Sequence, residues 1–382
     1  MKIEDLALQR SKYKHLTDDE WRWFLQQVEG RERTADKLPA FAATEDWWYP
    51  VRLSCEQCSS ELAAKYKASL ISNLGFQNSN FVDLTGGYGV DSYFFSESFS
   101  SIDYVEQNEE LCRIAAHNFA NKPITIHNTS AEEFLQTAGQ YDLIFVDPAR
   151  RDSHGGKVFR LEDCTPNVVE LLPTLLAHGK RLMLKLSPML DLTQAMHKLK
   201  SDNGQGTKVN WDIHIVAIKN EVKEVLLVSH QPSDISYQPT ITAIDLEKMD
   251  QAFVFTREEE QNCPFTFHLS PINFLYEPNA AILKAGAYKL VAERFGLSKL
   301  DVNTHLYVSE DLVADFPGRI WRIKSQITNH QLPITNANVL VRNYPLTPEQ
   351  LKKKLRLRDG GTDFVIGCRV NGKPTLFLAE RV

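Results

Sequence analysis

The chain has 382 residues, 43% of them hydrophobic and 24% charged, and a formal net charge of −6. That length exceeds one ordinary core, so two or three domains are expected in a globular protein without low-complexity tracts. The negative balance excludes a generic polyanion binder, and no apolar run approaches the roughly 20 residues of a bilayer span.

The mixed-charge N-terminus MKIEDLALQRSKYKHLTDDE has no apolar stretch of the signal-peptide kind, so a cytoplasmic protein is expected. Of the six cysteines, Cys55 and Cys58 form a CxxC, but no second pair stands at zinc-finger spacing. Reduced thiols and no metal are expected; a redox or metal role is the alternative.

Residues 1–61 read as an N-terminal helical segment. Leu16, Trp21, Trp23 and Phe24 are spaced for a buried helix face, with Thr17 as N-cap. DWWYPVRLSCEQCSSE is aromatic and then turn-rich, like a segment packed on a neighbouring domain. A helix is predicted from Leu62 to Leu74, closing at Gly75.

Residues 62–232 alternate short apolar strands with helical stretches. FVDLTG, IDYVEQ, ITIHN, YDLIFVDP, RLMLKLSP, HIVAIKN and EVLLVSH each read as strands. Helix formers between the first five predict β-α-β units and a parallel sheet; the last two are close enough for an antiparallel edge hairpin.

After Pro232 the pattern changes. EPNAAILKAGAYKLVAERFGL reads as a strong helical segment, followed by THLYVSE. The tail reads strand (NANVLVRNY), helix (TPEQLKKKLRL), strand (DFVIGCRV), strand (KPTLFLAER), as in small α+β domains of ferredoxin-like character. A linking domain is expected over 233–312 and a C-terminal domain over 313–382. No internal repeat is evident.

The chemistry begins at FVDLTGGYGVDSYFF. A strand ends in Asp83, a turn carries Gly86, Gly87 and Gly89, and a helix follows. Glycines let a ligand approach the backbone, and the helix start offers free N–H groups. Asp83 would repel a pyrophosphate and suits an ammonium group such as that of a methionyl moiety. The dinucleotide pattern is also incomplete, because Ser92 stands where its third glycine belongs. A nicotinamide enzyme is therefore disfavoured.

Glu106 ends the second strand, either to accept ribose hydroxyls or as an exposed acid. Ser130 follows the third, as an adenine contact, a helix cap with Glu133, or both. Asp147 closes the fourth buried strand, where open α/β sheets build their sites. It can orient or deprotonate a nucleophile. Pro148 stiffens the loop, and Arg150 and Arg151 either bind an anionic group or pair with Glu162 and Asp163. Lys185, inside the fifth strand, must find a partner or water; a salt bridge is expected over a substrate role. Asn220 and Glu221, between the last two strands, are equally ambiguous.

In order, DLTGGYG, the strand-two glutamate and VDPARRD resemble the class I methyltransferases over roughly residues 62–230. CEQCSSELAAKYKA, DPARRDSHGGKVFRLEDCTPN and EPNAAILKAGAYKLVAERFGL resemble a bacterial group of these bearing a C-terminal THUMP-like domain. In that group a ferredoxin-like piece stands between the catalytic and THUMP-like domains. The resemblance implies a Rossmann-like α/β sheet and S-adenosylmethionine as cofactor. It sets Asp83, Thr85, Gly87, Gly89, Glu106 and Ser130 towards that cofactor, and Asp147, Pro148 and Arg150 towards the substrate. True THUMP domains serve RNA modification, so a structured RNA, tRNA or rRNA, is the implied substrate, with direct methyl transfer to nitrogen or oxygen.

Two departures narrow the chemistry. Asp-Pro-Ala-Arg lacks the aromatic with which exocyclic-amine methyltransferases stack a flipped base. No cysteine follows the fifth strand to attack a pyrimidine ring, and Cys164 reads as a packed thiol. Lys352, Lys353, Lys354, Arg356 and Arg358 gather on one C-terminal helix, as a phosphate-binding face or as a solvated surface whose cations suit the helix dipole. The alternatives are a non-catalytic RNA-binding protein with a vestigial cofactor fold, or a methyltransferase for a small molecule or protein.

Overall fold

The structure is a computed structural model. It describes residues 3, 6, 8–73, 75, 79–150, 160–199, 209–230, 237–264, 267, 272–328 and 332–382. The chain forms two compact units: Met1–Ile213 with Glu224–Tyr237, and His214–Lys223 with Gln238–Val382.

The first unit begins with helices α1 (Asp18–Thr34), α2 (Pro39–Ala43), α3 (Arg52–Gln57) and α4 (Glu61–Asn73). Thr17 caps α1 as expected. Its hydroxyl accepts from the Glu20 amide while the Glu20 carboxylate accepts from the Thr17 amide at 2.7 Å, so two amides that the helix leaves unpaired are satisfied together. The helix expected from Leu62 starts one residue earlier; Leu74 lies outside the described residues.

There follow β1 (Asn80–Asp83), α5 (Val90–Phe95), β2 (Ser101–Glu106), α6 (Glu109–Asn118), β3 (Ile124–Asn128), α7 (Ala131–Leu135) and β4 (Tyr141–Val146). Beyond them come β5 (Ala149–Arg150), β6 (Cys164–Thr165), α8 (Val168–His178), β7 (Gly179–Leu186), α9 (Leu192–Lys198), β8 (Asn210–Ile218) and β9 (Glu221–His230). The five expected parallel strands lie in the order β7-β4-β1-β2-β3, and β9 runs antiparallel beside β7. The expected hairpin is β8 and β9, turned by Lys219 and Asn220 in left-handed backbone, but it is not the edge of the sheet, because strands Thr240–Asp245 and Phe253–Thr256 continue it beyond β8. Their near-continuous apolar runs are those of a sheet covered on both faces.

One core cluster gathers Ile71, Phe81, Phe95 and Phe145, and a second, beside it, gathers Phe41, Trp47, Tyr88 and Tyr104. The aromatic stretch DWWYP belongs to the second group. Trp47 stacks on Phe41 at 4.1 Å and donates to the Tyr88 hydroxyl at 2.9 Å. The N-terminal segment therefore packs directly on the glycine turn.

The second unit contains β10 (Thr240–Asp245), β11 (Phe253–Thr256), α10 (Arg257–Asn262), β12 (Phe274–Pro278), α11 (Ala280–Ala285) and α12 (Leu290–Arg294). It continues with β13 (Ser298–Asp301), β14 (Thr304–Ser309), β15 (Gly318–Gln326), β16 (Asn338–Arg342), α13 (Pro348–Leu355), β17 (Asp363–Val370) and β18 (Lys373–Arg381). Seven strands pair in the order β13-β14-β12-β15-β18-β17-β16. The tail reads strand, helix, strand, strand as expected.

The helical segment expected over residues 277–297 forms as two short helices, α11 and α12, and its first residues are not helical. Glu277 and Pro278 instead end β12, which is hydrogen-bonded to β14 and β15. Asn279 caps α11 through the Ile282 amide, and Gly286, at φ 82°, ends it. Strand pairing on both sides outweighs the local helical propensity of this stretch. The pair Asn220 and Glu221 is structural as well. Within the second unit Asn220 accepts from the Ala280 amide at 2.8 Å, while Glu221 pairs with Lys223.

Candidate active site

The chain runs from β1 outward to β2 and β3, then returns to β4 on the other side of β1. Such a reversal opens a crevice at the carboxyl ends of the strands. Here it is a cleft of about 280 Å³, lined by Asp83, Thr85, Gly87, Gly89, Glu106, Ser130 and Asp147 together. Residues expected from four separate stretches of sequence thus meet at one place.

The glycine turn is shaped for close approach. Gly87 has φ 57°, and a Cβ there would meet nothing nearer than the Thr85 carbonyl at 3.7 Å, so its open side belongs to the cleft. Gly89 has φ 78°, and a Cβ would strike the Phe119 ring at 2.4 Å. Side chains at either position would strain the left-handed backbone.

Asp83 is 1% exposed. One carboxylate oxygen accepts from the Ser92 hydroxyl at 2.6 Å and the other from the Thr85 amide at 3.0 Å. Burial pushes its carboxyl up to about 7, against the lowering effect of those two donors. Ser92, at the place of the missing third glycine, is thus the partner that Asp83 requires.

Glu106 accepts from the Gly87 amide at 2.9 Å and the Asn108 amide at 2.8 Å, one on each oxygen. It ties strand tip to glycine turn with lone pairs remaining. Ser130 caps α7 by accepting from the Glu133 amide at 3.1 Å and also lines the cleft, so both roles read for it are compatible. Thr85 accepts from the Asp147 amide at 2.7 Å, locking the ends of β1 and β4 together.

At the floor lies a network that the sequence reading did not assemble. Lys185 pairs with Asp147 at 2.5 Å and donates to the Ser59 hydroxyl at 3.2 Å. Ser59 donates to Asp91 at 2.9 Å and accepts from Lys67 at 2.9 Å. Lys67, fully buried, also bonds both oxygens of Glu224 at 2.8 Å and lies 3.1 Å from Asp91. Two ammonium groups alternate with three carboxylates around one hydroxyl.

Burial alone would lower the Lys185 ammonium, but Asp147, Asp91 and Glu224 outweigh it and hold the lysine protonated. Asp91 is likewise opposed by burial, yet Lys67 and Lys185 hold it below the ordinary carboxylate range. The expected salt bridge of Lys185 is present, and its partner is the candidate catalytic acid. Ser59, Lys67, Asp91 and Glu224 stand on four different elements.

Pro148 is half-buried and is not among the lining residues, and the Arg150 backbone pairs with Cys164 across β5 and β6. Arg151 lies outside the described residues. Glu162, one acid considered for the arginine pair, bonds Lys198 at 2.7 Å. Cys164 is buried, as a packed thiol should be. Cys55 and Cys58 are unbridged, with burial pushing both thiols up, Cys55 to about 12; Cys58 lines the cleft. Among the described residues no group of three or more potential ligands is placed to hold a metal, and no helix is long and apolar enough to cross a membrane. On α13 and its end, Lys353, Lys354, Arg356 and Arg358 are exposed, while Lys352 bonds Asp359.

A doubly wound sheet with an acid-flanked glycine turn at its switch point defines the class I methyltransferase fold. Residues 274–317 match the model of a ferredoxin-like domain family, and residues 318–381 that of a THUMP domain-like family, so these modules divide at 317/318. The crystal structure of a candidate methyltransferase from Porphyromonas gingivalis W83 superposes with a TM-score of 0.81 and 31% identity, covering 96% of this chain and 92% of that one. The chain belongs to that family, the bacterial class I methyltransferases with C-terminal ferredoxin-like and THUMP-like domains. A candidate RNA methyltransferase from Pyrococcus horikoshii (TM-score 0.38, 13% identity, 50% of this chain and 96% of that one) is too distant to carry an argument. The same holds for a SAM-dependent methyltransferase from Agrobacterium tumefaciens (0.35, 16%, 46% and 64%). No curated protein matches the sequence.

Proposed function

We propose that this protein is an S-adenosylmethionine-dependent methyltransferase acting on a structured RNA, tRNA or rRNA, by direct transfer to nitrogen or oxygen. The observation that carries the reading is the charge of the cleft. Asp83, Glu106 and Glu132 line its loop end, and the one cation among its described lining residues, Lys185, is paired with Asp147 at the floor. A pyrophosphate there would face carboxylates without a counter-charge; a sulfonium nucleoside carrying an ammonium group meets the opposite field.

The residues fit that cofactor. Glu106 has lone pairs left for ribose hydroxyls, Gly87 would leave room for the amino-acid arm, and Ser130, which lines the same cleft, would meet the adenine edge. Bound there, the cofactor supplies a methyl group on positively charged sulfur. The chain supplies proximity and orientation, with Asp147 holding the acceptor and taking its proton. For RNA the support is the THUMP-like module together with the exposed cations of α13.

Calorimetry tests the cofactor: S-adenosylmethionine should bind, reduced nicotinamide dinucleotide should not, and Glu106→Ala should weaken binding about tenfold or more. Tighter binding of the dinucleotide would sink the reading. The substrate is tested by comparing modified nucleosides in RNA from cells with and without the gene; an unchanged profile in every RNA class would exclude RNA.

A further inference from the structure

We propose that Lys185 and Asp147 form a single acceptor subsite that selects a lactam edge of a nucleobase, an N–H beside a C=O as in uracil or guanine, a choice that depends on the methyltransferase reading above. An ammonium offers three N–H donors. Those of Lys185 have two partners among the described residues, Asp147 and Ser59, and the residue lines the cleft. Asp147 gives one oxygen to Lys185. The other has no partner among the described residues, and the side chain is 37% exposed on the same cleft. A charged donor and an anionic acceptor therefore stand side by side, facing the same space.

The buried network holds this pair in place. Ser59 donates one bond and accepts two, which completes its hydroxyl, and Lys67 is anchored by Glu224 and Asp91. Turning Lys185 away would break two charge-assisted bonds in a region closed to water.

Lactam and amidine edges both offer a donor beside an acceptor, so the choice follows from where charge develops. On adenine or cytosine, Lys185 would meet the ring nitrogen, and the amine would lose its proton with no oxygen to take the charge. On a lactam, the N–H meets Asp147 and the carbonyl oxygen meets Lys185. The nitrogen forms a bond to the methyl carbon, the carbon–sulfur bond breaks with its electron pair going to the sulfonium sulfur, and the N–H proton passes to Asp147. Negative charge building on the carbonyl oxygen lies against a fixed ammonium, where such stabilisation is greatest. Arginine rather than an aromatic at position 150 agrees with a target other than an exocyclic amine.

The full-length protein is incubated with methyl-labelled S-adenosylmethionine and total RNA from cells lacking the gene, and the digest is read by mass spectrometry. Label on the lactam nitrogen of uridine or guanosine is expected. Label on an amino nitrogen, on a ring nitrogen of adenosine or cytidine, on carbon or on ribose oxygen overturns the inference and leaves the methyltransferase reading standing. No label despite donor binding overturns it too, and a protein that binds no donor sinks both. Asp147→Asn, which keeps the shape, should slow transfer about a hundredfold with donor affinity within twofold. An unchanged rate would also overturn the proposal.

Discussion

Asp83 and Asp91 flank one turn, both are buried, and they behave in opposite ways. Asp83 meets only neutral donors, the Ser92 hydroxyl and the Thr85 amide, and burial pushes its carboxyl up to about 7. Asp91 meets Lys67 and, through space, Lys185, and these hold it below the ordinary range despite the same burial. Burial sets the size of the electrostatic stake, and the partner sets its sign. The loop end is thus left ready for a cation, while the floor already contains its own.

The comparison breaks most readily at Lys67. Lys67→Met leaves Asp91 and Glu224 buried with Lys185 as their nearest cation, and a loss of about 3–5 kcal/mol is expected in denaturant unfolding. Adding Glu224→Gln should restore part of it. A loss below about 1 kcal/mol would mean the network is hydrated and the contrast with Asp83 unfounded.

Asp83 gives a pH signature of the next size. Its folded value, about 7, lies above the ordinary 3.8, so between them the unfolded chain has released a proton that the native chain keeps. Stability from this group therefore falls as pH rises from about 4 to about 7, by up to about 4 kcal/mol, and is level above that. Asp83→Asn should remove that slope, so the variant should gain on the wild type across this window. Parallel curves would show that Asp83 titrates normally. The smallest effect is expected for Ser92→Ala, roughly 1–2 kcal/mol at pH 8, where the carboxylate loses its strongest donor. The loss should shrink at pH 5, where Asp83 holds its own proton.

The loop end was more legible in the sequence than the floor because its parts are consecutive. Asp83, Thr85, Gly87 and Gly89 stand on one turn, and Glu106 and Asp147 announce themselves by closing apolar strands. Floor residues give no such signal. Ser59 looks like one polar residue in a turn, Lys67 like a cation on an amphipathic helix, and Glu224 like an acid beginning a strand. Ser92 read only as a missing glycine. In the second unit the same limit appears at Glu277 and Pro278, which look like the start of a helical segment but end the strand Phe274–Pro278, and at Gly286, which divides that segment into two helices.

The sequence by itself determined the parallel sheet, the glycine turn and the strand-end acids, because periodicity and turn chemistry are local and repeat every few residues. Only the tertiary structure decided which charges meet. Lys67 and Glu224 lie 157 positions apart and Lys185 and Ser59 126, so each pairing depends on how strands stack side by side. A buried charge is tolerable only when its partner arrives, and no local pattern in the chain records that arrival.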